Sequence, residues 1–315
     1  MGREEIIHMF PERMRGRWHK VADLYDQLQE IRLRAGMAAT ILLGQSEKFV
    51  GVKGQIVDRQ EQGDRMTPQE LDEILQHLCQ YSLYAFADEI RQGFLTIQGG
   101  HRVGLAGQVI LNDEGGIRNI KYIRYLNIRI AHQIKGAADP VMRFLYDKGQ
   151  VRNTLLVSPP GCGKTTMLRD IIRQVSDGTT FGQGVNVSVV DERSEIAGSY
   201  MGIPQNDVGR RTDVMDGCPK VEGMMMLIRS MAPRVLAVDE LGSERDIEAL
   251  RMASGCGCKL IATVHGESLE EIQNKKYMRY VMEEGMFDRY VVLERQDGNC
   301  VVEGIYDREG QRCIR

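Results

Sequence analysis

The sequence predicts an α/β protein of two parts, a C-terminal domain on a mostly parallel sheet and a smaller N-terminal α+β domain. Three observations carry that prediction. The length, 315 residues, amounts to about two domains at roughly 100 to 200 residues each. Beyond residue 150, short apolar runs alternate with stretches of helical periodicity, the pattern of parallel strands and the helices that cover them. In the first third, apolar runs follow one another across glycine-rich turns, as antiparallel strands do. The expected division is residues 1–136, a linker helix over 137–150, and residues 151–315.

The elements follow in order. Residues 4–28 hold helical stretches interrupted at Pro11, because proline lacks the N–H that a helix interior needs. Residues 31–57 read as short strands broken at Gly36, Gly44, Gly51 and Gly54. Thr67-Pro68-Gln69-Glu70 is a capping box with proline at the first helical position, and Leu71, Ile74, Leu75 and Leu78 continue it as one apolar stripe. Strands are expected over 94–98, 102–111 and 117–134, with Asp113-Glu114-Gly115-Gly116 as the turn between the last two. Asp139-Pro140 opens a short helix expected to end near Gly149. In the second domain, strands are expected at 154–157, 185–190, 235–238 and 260–264, and helices at 164–175, 223–231 and 246–253. A closing hairpin pairs 290–295 with 300–306 through Asp297-Gly298-Asn299.

Composition excludes several classes. Hydrophobic residues at 42% and charged residues at 27% are those of a globular chain, neither disordered nor fibrous. The longest stretch without Asp, Glu, Lys or Arg covers 74–87, short of the roughly 20 apolar residues that span a bilayer. Residues 1–17 have no apolar core of a signal peptide, so a cytoplasmic chain is expected. With 41 Lys and Arg against 44 Asp and Glu, the net charge is −3, and no nucleic-acid partner is expected. The seven cysteines are odd in number and lack repeated CxxC spacing, which points to reduced thiols. Cys256-Gly257-Cys258 has no second pair of ligands in sequence and is not expected to hold a metal.

The strongest motif is the strand Leu155-Leu156-Val157 running into Ser158-Pro159-Pro160-Gly161-Cys162-Gly163-Lys164-Thr165-Thr166 and a helix. This is a P-loop: backbone N–H groups of Gly161 to Thr165 wrap a phosphate, Lys164 bridges β- and γ-phosphates of ATP, and the Thr165 hydroxyl ligates Mg²⁺. Ser158 stands where the strict pattern has glycine. A second apolar strand ends in Asp239-Glu240, the form of a Walker B segment, with Asp239 expected to hold Mg²⁺ through water. A third, 187–190, ends in Asp191-Glu192-Arg193-Ser194-Glu195, where a carboxylate can align the attacking water at the C-terminal edge of the sheet. A solvated acidic loop is the alternative. A fourth delivers His265 to the same edge, read as a sensor of nucleotide state.

With these motifs in place, the chain resembles the secretion-type RecA-like ATPases of type II and type IV secretion and pilus systems, from about residue 138 onward. The P-loop, the acidic strand ending, Asp239-Glu240 and Ala262-Thr263-Val264-His265 look like their Walker A, Asp box, Walker B and His box. Asp191-Glu192-Arg193-Ser194-Glu195-Ile196-Ala197-Gly198, the run from Asp207 to Val214 and Gly99-Gly100-His101-Arg102-Val103-Gly104 look more closely like the stage III sporulation AA family, along nearly the whole chain. The resemblance implies a RecA-like ATPase that hydrolyses MgATP and forms a ring, a hexamer by family expectation, with nucleotide between its domains. It implies a cytoplasmic protein held peripherally at the membrane by the membrane proteins of a sporulation channel between mother cell and forespore. It places Glu195 on the Asp-box glutamate and Glu240 on the Walker B glutamate, although Asp191-Glu192 reverses the usual Glu-Asp order. Arg102 and Arg129 match N-terminal arginines that reach nucleotide, and each is equally compatible with an ordinary strand-surface arginine. Arg210 and Arg211 are the other arginines open to that role. A nucleotide-binding scaffold with little turnover and a DNA-handling motor are the rival readings.

Overall fold

A computed structural model describes residues 2–296 and 299–313. The chain divides into two compact units, Met1–His132 and Gln133–Arg315.

In the first unit, α1 (Arg3–His8) and α2 (Arg15–Ala22) flank Pro11. Phe10 and Trp18 stack at 3.8 Å between ring centroids, both fully buried. Strands β1 (Leu28–Arg34), β2 (Thr40–Leu43), β3 (Ser46–Val50) and β4 (Ile56–Val57) precede α3 (Pro68–Leu78) and α4 (Ala87–Gln92). Three more strands follow, β5 (Phe94–Ile97), β6 (His101–Leu111) and β7 (Ile117–Arg129). They form one antiparallel sheet in the order β4-β3-β2-β1-β7-β6-β5. Alternation sends Ile31, Leu33, Val103, Leu105, Leu126 and Ile128 into the core and leaves Glu30, Arg32, Arg102 and Arg129 on the opposite face. The capping box at α3 forms as expected: the Thr67 hydroxyl accepts from Glu70 N at 3.2 Å, and Glu70 accepts from Thr67 N at 2.8 Å. Strand β7 stops at Arg129, short of the expected 134, because Ala131 N donates to His101 Nδ1 (3.0 Å) and leaves the ladder.

The second unit opens with α5 (Asp139–Met142), a single turn. The expected helix to Gly149 does not form. Lys148 and Gly149 both take left-handed φ (+47° and +81°) and close a hairpin between β8 (Tyr146–Asp147) and β9 (Gln150–Val151). Then come β10 (Thr154–Ser158), α6 (Lys164–Asp177), a small hairpin of β11 (Gly178–Thr179) and β12 (Gly182–Gln183), and β13 (Val187–Asp191). After β14 (Thr212–Asp216) come α7 (Lys220–Met231), β15 (Val235–Val238), α8 (Glu244–Gly255) and β16 (Lys259–His265). The chain ends with α9 (Leu269–Asn274), α10 (Lys276–Glu283), β17 (Arg289–Gln296) and β18 (Asn299–Asp307). Asp297 and Gly298 of the expected hairpin turn lie outside the described residues. The sheet order is β14-β13-β15-β16-β10-β17-β18, parallel except for the last pair.

Both faces of this sheet are covered, which explains the near-continuous apolar runs of its strands. Leu156, Val187, Val189, Val235, Ala237 and Ile261 pack on the face of α6. Leu155, Val157, Val190, Leu236, Val238 and Leu260 pack on the face of α7, α8 and α10. No described helix is long and apolar enough to cross a membrane.

Candidate active site

Parallel strands deliver their C-terminal ends to one edge, so β10, β13, β15 and β16 bring Ser158, Asp191, Asp239 and His265 to the same side of the sheet. Ser158 pairs with His265 in register, and β16 separates β10 from β15. The loop after β10 turns through Gly161 (φ +69°) and Gly163 (φ +67°), a left-handed geometry that glycine adopts without strain and that turns successive N–H groups to one side. Lys164 starts α6, whose N-terminus adds its partial positive charge. Arg295 Nη2 braces the loop by donating to Gly161 O at 2.6 Å.

Beside this loop lies a cleft of about 280 Å³ that gathers Lys164, Thr165, Thr166, Glu195, Asp239, Glu240 and His265, with Pro159, Gly161 and Gly163 of the loop itself. The Thr165 hydroxyl donates to Asp239 Oδ2 (2.9 Å), and the Thr263 hydroxyl donates to Asp239 Oδ1. Two hydroxyls thus aim one carboxylate at the start of α6. Lys164 Nζ lies 3.4 Å from His265 Nε2 and 3.9 Å from Asp239 Oδ1. Burial pushes the Lys164 ammonium below its ordinary value, opposed by the charges of Asp239, Glu240 and Glu195. Glu240 takes a left-handed φ of +54°, an uncommon conformation for a side-chain-bearing residue. Its N–H donates to Thr263 Oγ1 (2.7 Å), and its Oε1 lies 3.3 Å from His265 Nε2.

Three of the expected residues turn away from the cleft. Ser158 is fully buried with its hydroxyl on Pro159 O (2.9 Å), Cys162 packs into the core on the α6 side, and Pro160 does not line the cavity. The strand-end acids divide in role. Asp191 is 2% exposed and accepts from the backbone N–H groups of Glu195 (2.8 Å), Ile196 (3.1 Å) and Ala197 (2.8 Å). Burial raises its carboxyl, against the pull of those three donors. Asp191 therefore shapes the loop, while Glu195 lines the cleft. The alternative of a merely solvated loop does not describe this buried carboxylate.

Arg102 and Arg129 belong to the first unit, where they face each other across β6 and β7. Arg102 lies 3.8 Å over the Phe94 ring, and Arg129 is 3.6 Å from Glu30. Arg210 and Arg211 are tied to Asp177 and Ser176 at the far end of α6. That helix has 14 residues, so they stand about 20 Å from the P-loop of the same subunit at 1.5 Å per residue.

Three cations escaped the sequence reading. Arg193 lines the cleft and places Nη1 3.1 Å from Glu240 Oε2. Lys220 Nζ reaches Glu192 Oε2 (3.1 Å) and donates to Glu240 O (2.7 Å). Buried Arg169 donates to Ile196 O and Glu195 O, both at 2.5 Å. Burial lowers its guanidinium pKa, opposed by Asp191, Asp239 and Glu195. Arg193 had a sequence signal, a single cation among three acids at a strand end. Lys220 and Arg169 sit on ordinary helical patterns and had none.

The family described as sporulation stage III, protein AA, matches residues 1–313. Stage III sporulation protein AA of Bacillus subtilis (strain 168) is 40% identical over 307 residues, covering 97% of this chain and 95% of the relative. Among solved structures, the ATPase DotB of Legionella pneumophila superposes with a TM-score of 0.59 at 14% identity, over 95% of this chain and 81% of DotB. The pilus retraction motor PilT, solved with bound ADP, gives 0.54 at 13% identity, over 91% of this chain and 81% of PilT. At such identities the structures speak for the fold, which is the RecA-like fold of the secretion ATPases with a smaller α+β domain before it. On the family match and the whole-length identity, the chain belongs to the stage III sporulation protein AA family.

Proposed function

We propose that this chain binds and hydrolyses MgATP in the P-loop cleft, and that the hydrolysis drives assembly of, or transport through, a secretion-like channel between mother cell and forespore. The observation that carries the reading is the convergence of Lys164, Thr165, Asp239, Glu240 and His265 on one cleft at the start of α6. The residues present suit MgATP. Two left-handed glycines and a helix N-terminus make an anion cradle, and the Thr165 hydroxyl and Asp239 carboxylate offer adjacent hard oxygens. Bound Mg²⁺ supplies charge neutralisation for the phosphates, and Thr165 and Asp239 are the side chains that would hold it.

Phosphoryl transfer asks more for positioning and charge than for covalent chemistry. Lys164, shielded from solvent, presents its ammonium to the phosphates. Glu195 and Glu240 stand at the same cleft, and one of them orients the attacking water. His265 touches both Lys164 and Glu240, so it can report the state of the phosphate to the carboxylate. We further propose that the protein works as a homo-oligomeric ring, a hexamer, that Arg102 or Arg129 contributes a cation to the nucleotide, and that a membrane protein of the channel recruits the ring to the membrane.

The test is phosphate release and native mass, with and without ATP, for the full-length protein and Lys164→Ala. We expect turnover by the parent, higher mass with ATP, and loss of turnover in a variant with an unchanged unfolding midpoint. Equal phosphate release by the two would overturn the assignment. Nucleotide binding with no release by the parent would favour an assembly scaffold.

A further inference from the structure

We propose that Arg193 is a cation that the P-loop unit itself supplies to the γ-phosphate of the nucleotide, and that it reaches the phosphate by leaving Glu240. The proposal rests on the reading of the cleft as an ATP site.

The base of Arg193 is fixed and its tip is free to move. The turn that carries it is pinned by Asp191, which takes the N–H groups of Glu195, Ile196 and Ala197, and by Arg169, which holds the carbonyls of Glu195 and Ile196. Ser194 adds a bond from its hydroxyl to Asp216 Oδ1 (2.7 Å). The guanidinium itself lies at the cleft with a side chain 62% exposed, and among the described residues its ion pair is with Glu240. A solvent-exposed pair of this kind is weak. A phosphate offers the same planar guanidinium a doubly hydrogen-bonded, more highly charged partner, so the exchange is downhill.

The charge count of the cleft points the same way. Three carboxylates, Glu195, Asp239 and Glu240, face two cations, Lys164 and Arg193. MgATP still brings net negative charge to this excess of carboxylates, which favours a second cation close by, and Lys220 is committed to Glu192 and to the Glu240 carbonyl.

The consequence for Glu240 is specific. It is held at four points: its N–H by Thr263, its carbonyl by Lys220, Oε1 by His265 and Oε2 by Arg193. When Arg193 turns to a phosphate, Oε2 is released to accept a hydrogen bond from water, while Thr263 and Lys220 keep the Glu240 backbone in place and His265 stays beside Oε1. A nucleoside diphosphate has no γ-phosphate to draw Arg193 away and leaves the pair closed. The ion pair thus couples recognition of the triphosphate to exposure of the carboxylate.

The experiment uses the full-length protein, Arg193→Gln and Arg193→Lys, with Lys164→Ala alongside. Binding of fluorescent ADP and of a non-hydrolysable fluorescent ATP analogue is measured with Mg²⁺, followed by steady-state phosphate release. In Arg193→Gln we expect ADP affinity within about twofold of the parent and analogue affinity down about tenfold, the loss of one charge-assisted phosphate contact. We expect kcat to fall by about 10²-fold or more, with arginine fingers known to contribute roughly 10³ to 10⁵. Arg193→Lys should recover part of both losses. Equal loss of affinity for the two nucleotides, or an unchanged or raised kcat, would overturn the proposal. If the parent binds neither nucleotide, the ATP reading itself fails, and this inference falls with it. A parent that binds and turns over ATP beside an unaffected Arg193→Gln sinks the inference alone.

Discussion

Removing the Asp191 carboxylate should unravel the loop that carries Arg193 and Glu195. In Asp191→Ala, three backbone N–H groups lose their acceptor. Glu195 is exposed and its N–H can turn to water, but Ile196 and Ala197 are fully buried. Each buried donor left unpaired costs about 1–3 kcal/mol, and Arg169 loses the nearby carboxylate that opposes its own burial. Relief from burying the Asp191 charge offsets part of this, so we expect a net loss of about 3–5 kcal/mol, the range for breaking a buried charged contact. Asp191→Asn keeps one acceptor oxygen but points an NH₂ group at the donors, and should cost about 1–3 kcal/mol. Urea unfolding at pH 7 gives the free energies, and amide hydrogen exchange at Glu195, Ile196 and Ala197 locates them. In the alanine variant these amides should lose protection, and ATP turnover should fall with ADP binding retained. Stability within about 0.5 kcal/mol of the parent, the usual surface range, with protected amides, would refute the loop-organising role. Turnover abolished in Asp191→Asn with the amides still protected would instead place Asp191 in the chemistry.

Glu195→Gln and Glu240→Gln should each bind ATP and hydrolyse it more slowly, and the larger fall in kcat marks the carboxylate that orients water; two unaffected rates would remove both from the chemistry. Arg102→Ala or Arg129→Ala should lower kcat by roughly 10³ to 10⁵ with folding intact, whereas two strand-surface arginines would leave phosphate release unchanged. Thr67→Ala should lower the stability of the N-terminal unit by about 1 kcal/mol through the lost cap, read from urea unfolding, and an unchanged midpoint would discount the cap. Burial alone would raise the Glu70 carboxyl, but its hydrogen bonds from Thr67 and the Arg17 charge hold it below its ordinary 4.5. A carboxylate depressed on folding stabilises above its unfolded pKa and loses that contribution as pH falls through the folded one. Stability should therefore fall on acidification below about pH 4.5, less steeply in Glu70→Gln; identical slopes would exclude Glu70 as a source.

The division between what was legible and what was not follows the range of the forces. Local signals were read correctly where one stretch of chain contains both partners of an interaction. The Thr67 capping box is such a case, since its hydroxyl and the Glu70 carboxylate meet within one helical turn. The loop between β10 and α6 is another, because a strand, two left-handed glycines and a helix start fall within a dozen residues. Apolar runs announced β10, β13, β15 and β16 because both faces of each strand are buried. Strand β14 was missed: Thr212-Asp213-Val214-Met215-Asp216 carries two acids and lies at the edge of the sheet, where pairing rather than composition makes a strand. The helix expected to reach Gly149 failed for a similar reason, since a two-residue left-handed turn won over helical propensity.

The sequence by itself determined that a glycine-rich loop opens α6, that three further apolar strands end in polar groups, and that an antiparallel module precedes them. Each of these is a local pattern of period, glycine and charge. Only the tertiary structure decided which polar strand ends act together. Sheet order put β16 between β10 and β15, and so set Thr263 on Asp239 and His265 between Lys164 and Glu240. It buried Asp191 as the organiser of a loop, left Glu195 at the cleft, and brought Arg193 to Glu240 across 47 residues of chain. Hydrogen bonds and ion pairs reach only a few ångströms, so their partners are chosen by which strands lie side by side. That order is set by packing of the whole sheet, and no local stretch of the sequence contains it.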